Sequence, residues 1–136
     1  MVEADLHKIC QVNTYSKKHL IQKEGQVCHR LYFVVKGTVR TFYDVEGKDV
    51  TSWFYIEGQM MTAWYSFLNR VPAFESIEVL EETEVVSITY EALEALYQKH
   101  PQMERYGRKM VEKQLAFIDL FSKGYLFMSA KNRYDL

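Results

Sequence analysis

The 136-residue sequence predicts one mainly β domain with helices towards its C-terminal end, and three observations carry that reading. Gly25, Gly37, Gly47 and Gly58 stand 12, 10 and 11 residues apart, the turn spacing of a sandwich or barrel of short antiparallel strands. The 10 Tyr, 8 Phe and 2 Trp fall largely in short runs between those glycines, where β-branched and aromatic residues favour a pleated surface. At Thr89 the apolar pattern changes from alternation to helical spacing. A chain of this length supports one core with an appended element.

In order, roughly seven or eight strands are expected. The first strand is read at 19–22, then 31–35, 38–43 and 50–56. In the last run Val50, Ser52, Phe54 and Ile56 share one face and Thr51, Trp53 and Tyr55 the other, so both faces are expected to be partly covered. After a long gap, Ile77 with Val79 and Val86 with Ile88 resume the alternation. Leu93, Leu96 and Tyr97 then mark a short helix, with Glu91 in its first turn where a negative charge suits the helix dipole. His100 before Pro101 breaks that helix, and Pro101 suits the first turn of the next. From there to about Ala130 an apolar stripe runs through Met103, Tyr106, Met110, Val111, Leu115, Ile118, Phe121, Tyr125 and Met128. A helix of about 45 Å outreaches one small sandwich, so part of its surface needs another partner.

Composition narrows the classes of function. Hydrophobic residues at 48% and charged residues at 26% exclude a disordered or collagen-like chain. The net charge of -1 excludes a global nucleic-acid footprint and leaves only a local one. Seven acids and no Lys or Arg lie between Val71 and Gln98, and eight basic residues face three acids between Lys99 and Arg133; each pattern reads first as a solvated face. Cys10 and Cys28, 18 residues apart, fit neither a disulfide framework nor a metal spacing and read as thiols of a reducing compartment. No apolar run reaches the roughly 20 residues of a membrane helix. Glu3, Asp5 and His7 stand where a signal peptide would be apolar, so the expected location is cytoplasmic, with no membrane partner.

The phrases Lys23-Glu24-Gly25-Gln26, Leu31-Tyr32-Phe33-Val34-Val35-Lys36-Gly37-Thr38-Val39-Arg40, Glu46-Gly47-Lys48 and Glu57-Gly58-Gln59 together resemble the cyclic-nucleotide-binding domain of bacterial CRP/FNR transcription regulators. The resemblance runs from about Ser16 to Arg133. It implies a double-stranded β-helix, or jelly roll, followed by a long dimerisation helix. On that basis residues 1–98 are an effector-sensing domain with an N-terminal helix and a short helix after the strands. Residues 99–136 are the dimerisation helix and a hinge towards a helix-turn-helix domain that this chain does not contain. The chain would then be the sensor part of a longer regulator, paired with itself and reaching DNA only through the missing domain. Met103, Met110, Phe117 and Phe121 are the expected dimerisation residues, Val111, Leu115 and Ile118 are expected to pack on the domain, and Gly107 would permit close approach.

In members that bind cyclic nucleotides, a cassette opens on Gly-Glu, whose acid holds the ribose, and closes on Arg-Ser, whose arginine pairs with the cyclic phosphate. Here Gly58-Gln59 matches the opening and Glu75-Ser76 the close, so the resemblance keeps the glycine and serine but not the two charged groups. The intervening segment is long and carries Met60, Met61, Trp64, Tyr65, Phe67 and Arg70. Arg70 either folds back to replace the missing arginine or is an exposed loop residue. Trp64 and Tyr65 either line a ligand cavity or serve as core and lid, and Met60 and Met61 are adaptable fillers. The candidate ligand residues are therefore Gly58, Gln59, Met60, Met61, Trp64, Tyr65, Arg70, Glu75 and Ser76. The effector is a small molecule that the residues do not identify. Glu75 and Gln59 weigh against cyclic AMP and cyclic GMP.

Other classes are weaker. A cupin-like metal enzyme needs paired histidines, whereas His7, His19, His29 and His100 are scattered. An iron-sulfur sensor needs more cysteines than two. No nucleophile-base pattern is visible, so no enzyme activity is expected; the residues identify no cofactor, and a haem sensor, which needs only an axial ligand, stays open. A ligand-free interaction domain with a closed pocket is the alternative reading.

Overall fold

The computed structural model describes the backbone of residues 2–134 and the side chains of residues 3–123. The apolar positions Tyr125 and Met128 and the expected hinge fall outside the described side chains. Eight strands form two four-stranded antiparallel sheets. The first has the order β1 (Gln11–Tyr15), β8 (Thr83–Thr89), β3 (Arg30–Lys36), β6 (Met60–Met61). The second has the order β2 (Leu20–Gln22), β7 (Ser76–Val79), β4 (Thr38–Val45), β5 (Lys48–Ile56). Faced together they make the jelly roll that the sequence predicts. Four helices complete the fold: α1 (Val2–Ile9), α2 (Trp64–Asn69), α3 (Tyr90–Lys99) and α4 (Gln102–Tyr134).

Strand alternation decides what is inside. Tyr32 and Val34 of β3, Val39 of β4, Tyr55 of β5, Ile77 and Val79 of β7 and Val85 of β8 point between the sheets, with Met61 and Phe67 among them. The corner between the sheets is Gly37, which adopts φ +113 where the chain leaves β3 for β4. A Cβ at that position would come within 2.8 Å of the Thr83 Cα. The β4–β5 hairpin turns on Glu46 and Gly47, both at positive φ, as a two-residue hairpin requires.

Two features differ from the sequence reading. Phe54 and Ile56, expected to be partly covered, are half exposed on the outer face of β5, the edge strand of its sheet. And β1, α2 and the two-residue β6 were not expected as elements. α2 has no side-chain cap; buried Ser66 holds it instead, accepting a hydrogen bond from the Cys28 N–H at 2.7 Å.

At the C-terminal end, Thr89 caps α3 by accepting from the Ala92 N–H at 3.1 Å. His100 ends it, and α4 starts immediately after Pro101. The His100 Nε2 lies 2.6 Å from the Asp5 carboxylate, which also pairs with Lys99 at 3.1 Å. α1 is thereby tied to the α3–α4 elbow. α4 runs back along the sandwich. Its Gly107 leaves room for the Tyr97 ring of α3, since a Cβ there would lie 3.2 Å from Tyr97 Cζ and would overlap its hydroxyl. The close approach foreseen at Gly107 is thus made within this chain.

Candidate functional site: the cassette beneath the long helix

The segment from Gly58 to Ser76 is bonded along its length to the β3 side of the fold. Gly58, at φ +88, donates its N–H to the Val34 carbonyl at 2.8 Å, and the Val34 N–H donates to the Gln59 carbonyl at 3.0 Å. The Thr62 hydroxyl donates to the Arg30 carbonyl at 2.7 Å, and the Ala73 N–H donates to the Gln26 carbonyl at 2.9 Å. At the close, Ser76 Oγ accepts from the Glu24 N–H at 2.9 Å. The opening is held from the other side by α4. The Met60 N–H donates to Gln114 Oε1 at 2.8 Å, and Gln114 Nε2 donates to the Met60 carbonyl at 2.6 Å. One helix side chain thus satisfies both polar groups of a strand residue, as a neighbouring strand would.

Two cavities lie between this segment and α4. One, of about 270 Å³, is walled by Tyr55, Met60, Trp64, Gln114, Leu115 and Ile118 among others. The other, of about 370 Å³, is lined by Gly58, Gln59, Met60, Lys113, Gln114 and Phe117 with Phe33 and Met110. Of the candidate residues, Gly58, Gln59, Met60 and Trp64 meet here. Met61, Tyr65, Arg70, Glu75 and Ser76 do not line these two spaces. Met61 is fully buried in the core, and Tyr65 is half exposed and stacked on Phe74 at 5.3 Å.

The polar groups of the cassette are largely spent on the protein itself. Gln59 Oε1 accepts from the Ile56 N–H at 3.0 Å. Arg70 ends α2 in the left-handed conformation and turns its guanidinium to Glu91 at 2.8 Å and over the Tyr90 ring at 4.5 Å. Glu75 is half buried, and burial pushes its carboxyl above the usual carboxylate range; among the described residues it forms no ion pair. Burial likewise pushes up the Tyr55 phenol, with Trp64 beside it acting the other way. Gln114 and Lys113 were missed in the sequence. The signal for Gln114 was present, a lone amide on the helix face that otherwise carries Met103, Met110, Ile118 and Phe121.

Of the expected dimerisation residues, Phe121 sits edge-on to Trp53 of β5 at 5.4 Å yet is 54% exposed, and Met103 and Met110 both line a cavity under the helix. Met110 and Phe117 are each 44% exposed, and Leu115, expected to pack inwards, is 60% exposed. The histidines lie apart: His19 stacks on Tyr15, His29 lies near Arg70 and His100 is held by Asp5.

A family model described as the cyclic nucleotide-binding domain matches residues 12–100. The chain belongs to the cyclic nucleotide-binding domain family. As a cyclic nucleotide-binding domain it is similar to solved transcription regulators of the CRP/FNR type. The catabolite activator protein of Thermus thermophilus is 25% identical with a TM-score of 0.68, over 97% of this chain and 62% of that one. The chain thus spans less than two thirds of that protein. The c-di-GMP responsive global regulator CLP of Xanthomonas campestris is 17% identical with a TM-score of 0.71, over 85% of this chain and 56% of the other. The sensor domain of the regulator DNR from Pseudomonas aeruginosa is 12% identical with a TM-score of 0.68, over 84% and 77%. The last two likenesses concern the fold alone. No curated protein sequence matches the chain.

Proposed function

We propose that this chain is the effector-sensing and dimerisation unit of a cytoplasmic CRP/FNR-like transcription regulator, with no catalytic role of its own. Its effector would bind against the cassette without the phosphate-arginine pairing of cyclic-nucleotide binders. The observation that carries this reading is the double hydrogen bond between Gln114 and Met60. It joins the cassette opening to the long helix, so a ligand that displaces Met60 would act directly on α4. In a dimeric regulator that motion would reorient DNA-binding domains carried beyond the helix.

The surface of α4 supports the pairing. Leu115 is 60% exposed and Leu120 72% exposed, with Met110, Val111 and Phe117 half exposed beside them. So much apolar surface along one helix is what a second helix would cover. Light scattering at micromolar concentration should return twice the 16.1 kDa chain mass, and Leu115→Glu with Leu120→Glu should return the single mass without loss of folded signal. A wild-type monomer at those concentrations would refute the dimeric part of the reading.

A further inference from the structure

We propose that the cavity beneath the first half of α4, which touches Met60, Trp64, Phe67 and Leu68 of the cassette segment but neither its Gly58-Gln59 opening nor its Glu75-Ser76 close, is a binding site for an uncharged, mostly apolar small molecule. The space is about 440 Å³, within the roughly 300–1,000 Å³ of small-molecule sites. Its floor is the outer face of the first sheet, including Leu31 and Val86, and its walls are Leu6 of α1, Leu93 of α3, and Met103 and Met110 of α4. These residues are not the sandwich core. Val34 and Val85 point the other way, between the sheets, while Leu31 and Leu93 pack against the core from this side and Tyr32 and Phe67 border both.

The helix that roofs the space is held off the sheet at both ends. Near its start the Tyr97 ring occupies the room beneath Gly107, and farther on Gln114 is locked to Met60. A continuous helix between two fixed points cannot sag into the gap, so the cavity belongs to the architecture. Water would fill it poorly, because an ordered water needs two or more polar partners and these walls offer few.

The walls also state the chemistry of the occupant. Among the described residues their only charged side chain is Glu94, which is exposed at the rim, and they include no cation. Ser87 Oγ, the hydroxyl on the floor, already accepts from Arg30 at 3.0 Å. The Arg30 guanidinium, outside the lining, already spends an N–H on Ser87, so an anion would meet Glu94 and no cation in the wall itself. An uncharged molecule of one or two rings would meet apolar side chains, among them the flexible Met103 and Met110, which adapt to irregular shapes.

The test titrates the chain with N-phenyl-1-naphthylamine, a neutral fluorescent probe, and with 8-anilinonaphthalene-1-sulfonate, nearly the same rings carrying a sulfonate. The neutral probe should saturate at one per chain and bind more tightly than the anionic one. Val86→Phe, which fills the floor, should weaken the neutral probe about tenfold or more with an unchanged melting profile. Met103→Phe, on the helix side, serves if the strand variant does not fold. Glu75→Arg, which alters the cassette alone, should leave the probe unaffected. Non-saturating binding, equal binding of the two probes, or indifference to both filling variants would overturn the site. So would loss of the probe in Glu75→Arg, which would place it in the cassette, or weakening that tracks protein concentration, which would mean that a second copy covers the cavity.

Discussion

A carboxylate at position 75 repels what an arginine there would attract. Removing the charged partner of a buried anion typically costs about 2–5 kcal/mol, or roughly 30-fold to several thousand-fold in affinity. The repulsion from Glu75 adds to that, and Arg70 is held by Glu91 and Tyr90 instead of facing a phosphate. Gly58 and Ser76 were legible from sequence because each sits in a short local phrase. Gln114 shows locally as a lone amide on an apolar helix face, but its pairing with Met60, 54 positions away, has no local pattern. Gln114→Met keeps the length and helix propensity of the side chain but strips both hydrogen bonds from Met60. Unpairing those groups should cost roughly 1–3 kcal/mol. Amide exchange at Met60 should accelerate accordingly, and unchanged exchange would mean that the contact holds nothing. At Gly37 the obstacle is steric. Gly37→Ala combines a positive φ with overlap on Thr83, so a loss of about 2–4 kcal/mol is expected in denaturant unfolding.

Among elements, β3, β4 and β5 were read to within two residues because positive-φ glycines bound them and their side chains alternate cleanly. β1 escaped notice for a physical reason. Gln11–Tyr15 is a polar edge strand whose Val12 is 62% exposed, and pairing with β8, not its own pattern, makes it a strand. α2 and β6 are too short to show a period, and tertiary hydrogen bonds from Ser66 and Gln114 define them. α1 depends on the link from Asp5 to the α3–α4 elbow, which gives that region a pH dependence. Hydrogen bonds from His100 and then Lys99 hold the Asp5 carboxyl at about 2, below its usual 3.8. A depressed acid contributes stability above its unfolded value and loses it as pH falls through the folded one. Between pH 3.8 and pH 2 wild type should therefore lose stability that Asp5→Asn never had. Melting curves of the two proteins should converge across that interval, and parallel curves would refute the link.

For the whole molecule, the jelly roll and the long helix form one mechanical unit in which the cassette, the cavities and α4 share walls. Met60, Trp64, Leu68 and Val111 line both the cavity under the first half of α4 and the one beside the cassette, so events in either reach the same helix. On the proposed reading, scaffold and ligand chemistry have parted. The fold is that of a cyclic nucleotide-binding domain, yet Gln59, Ser76 and Arg70 bond to the protein and Glu75 carries the wrong sign for a phosphate. Calorimetric titration with cyclic AMP and cyclic GMP tests that separation most directly. The account predicts no binding tighter than about 10 µM for either nucleotide, whereas submicromolar binding would contradict it.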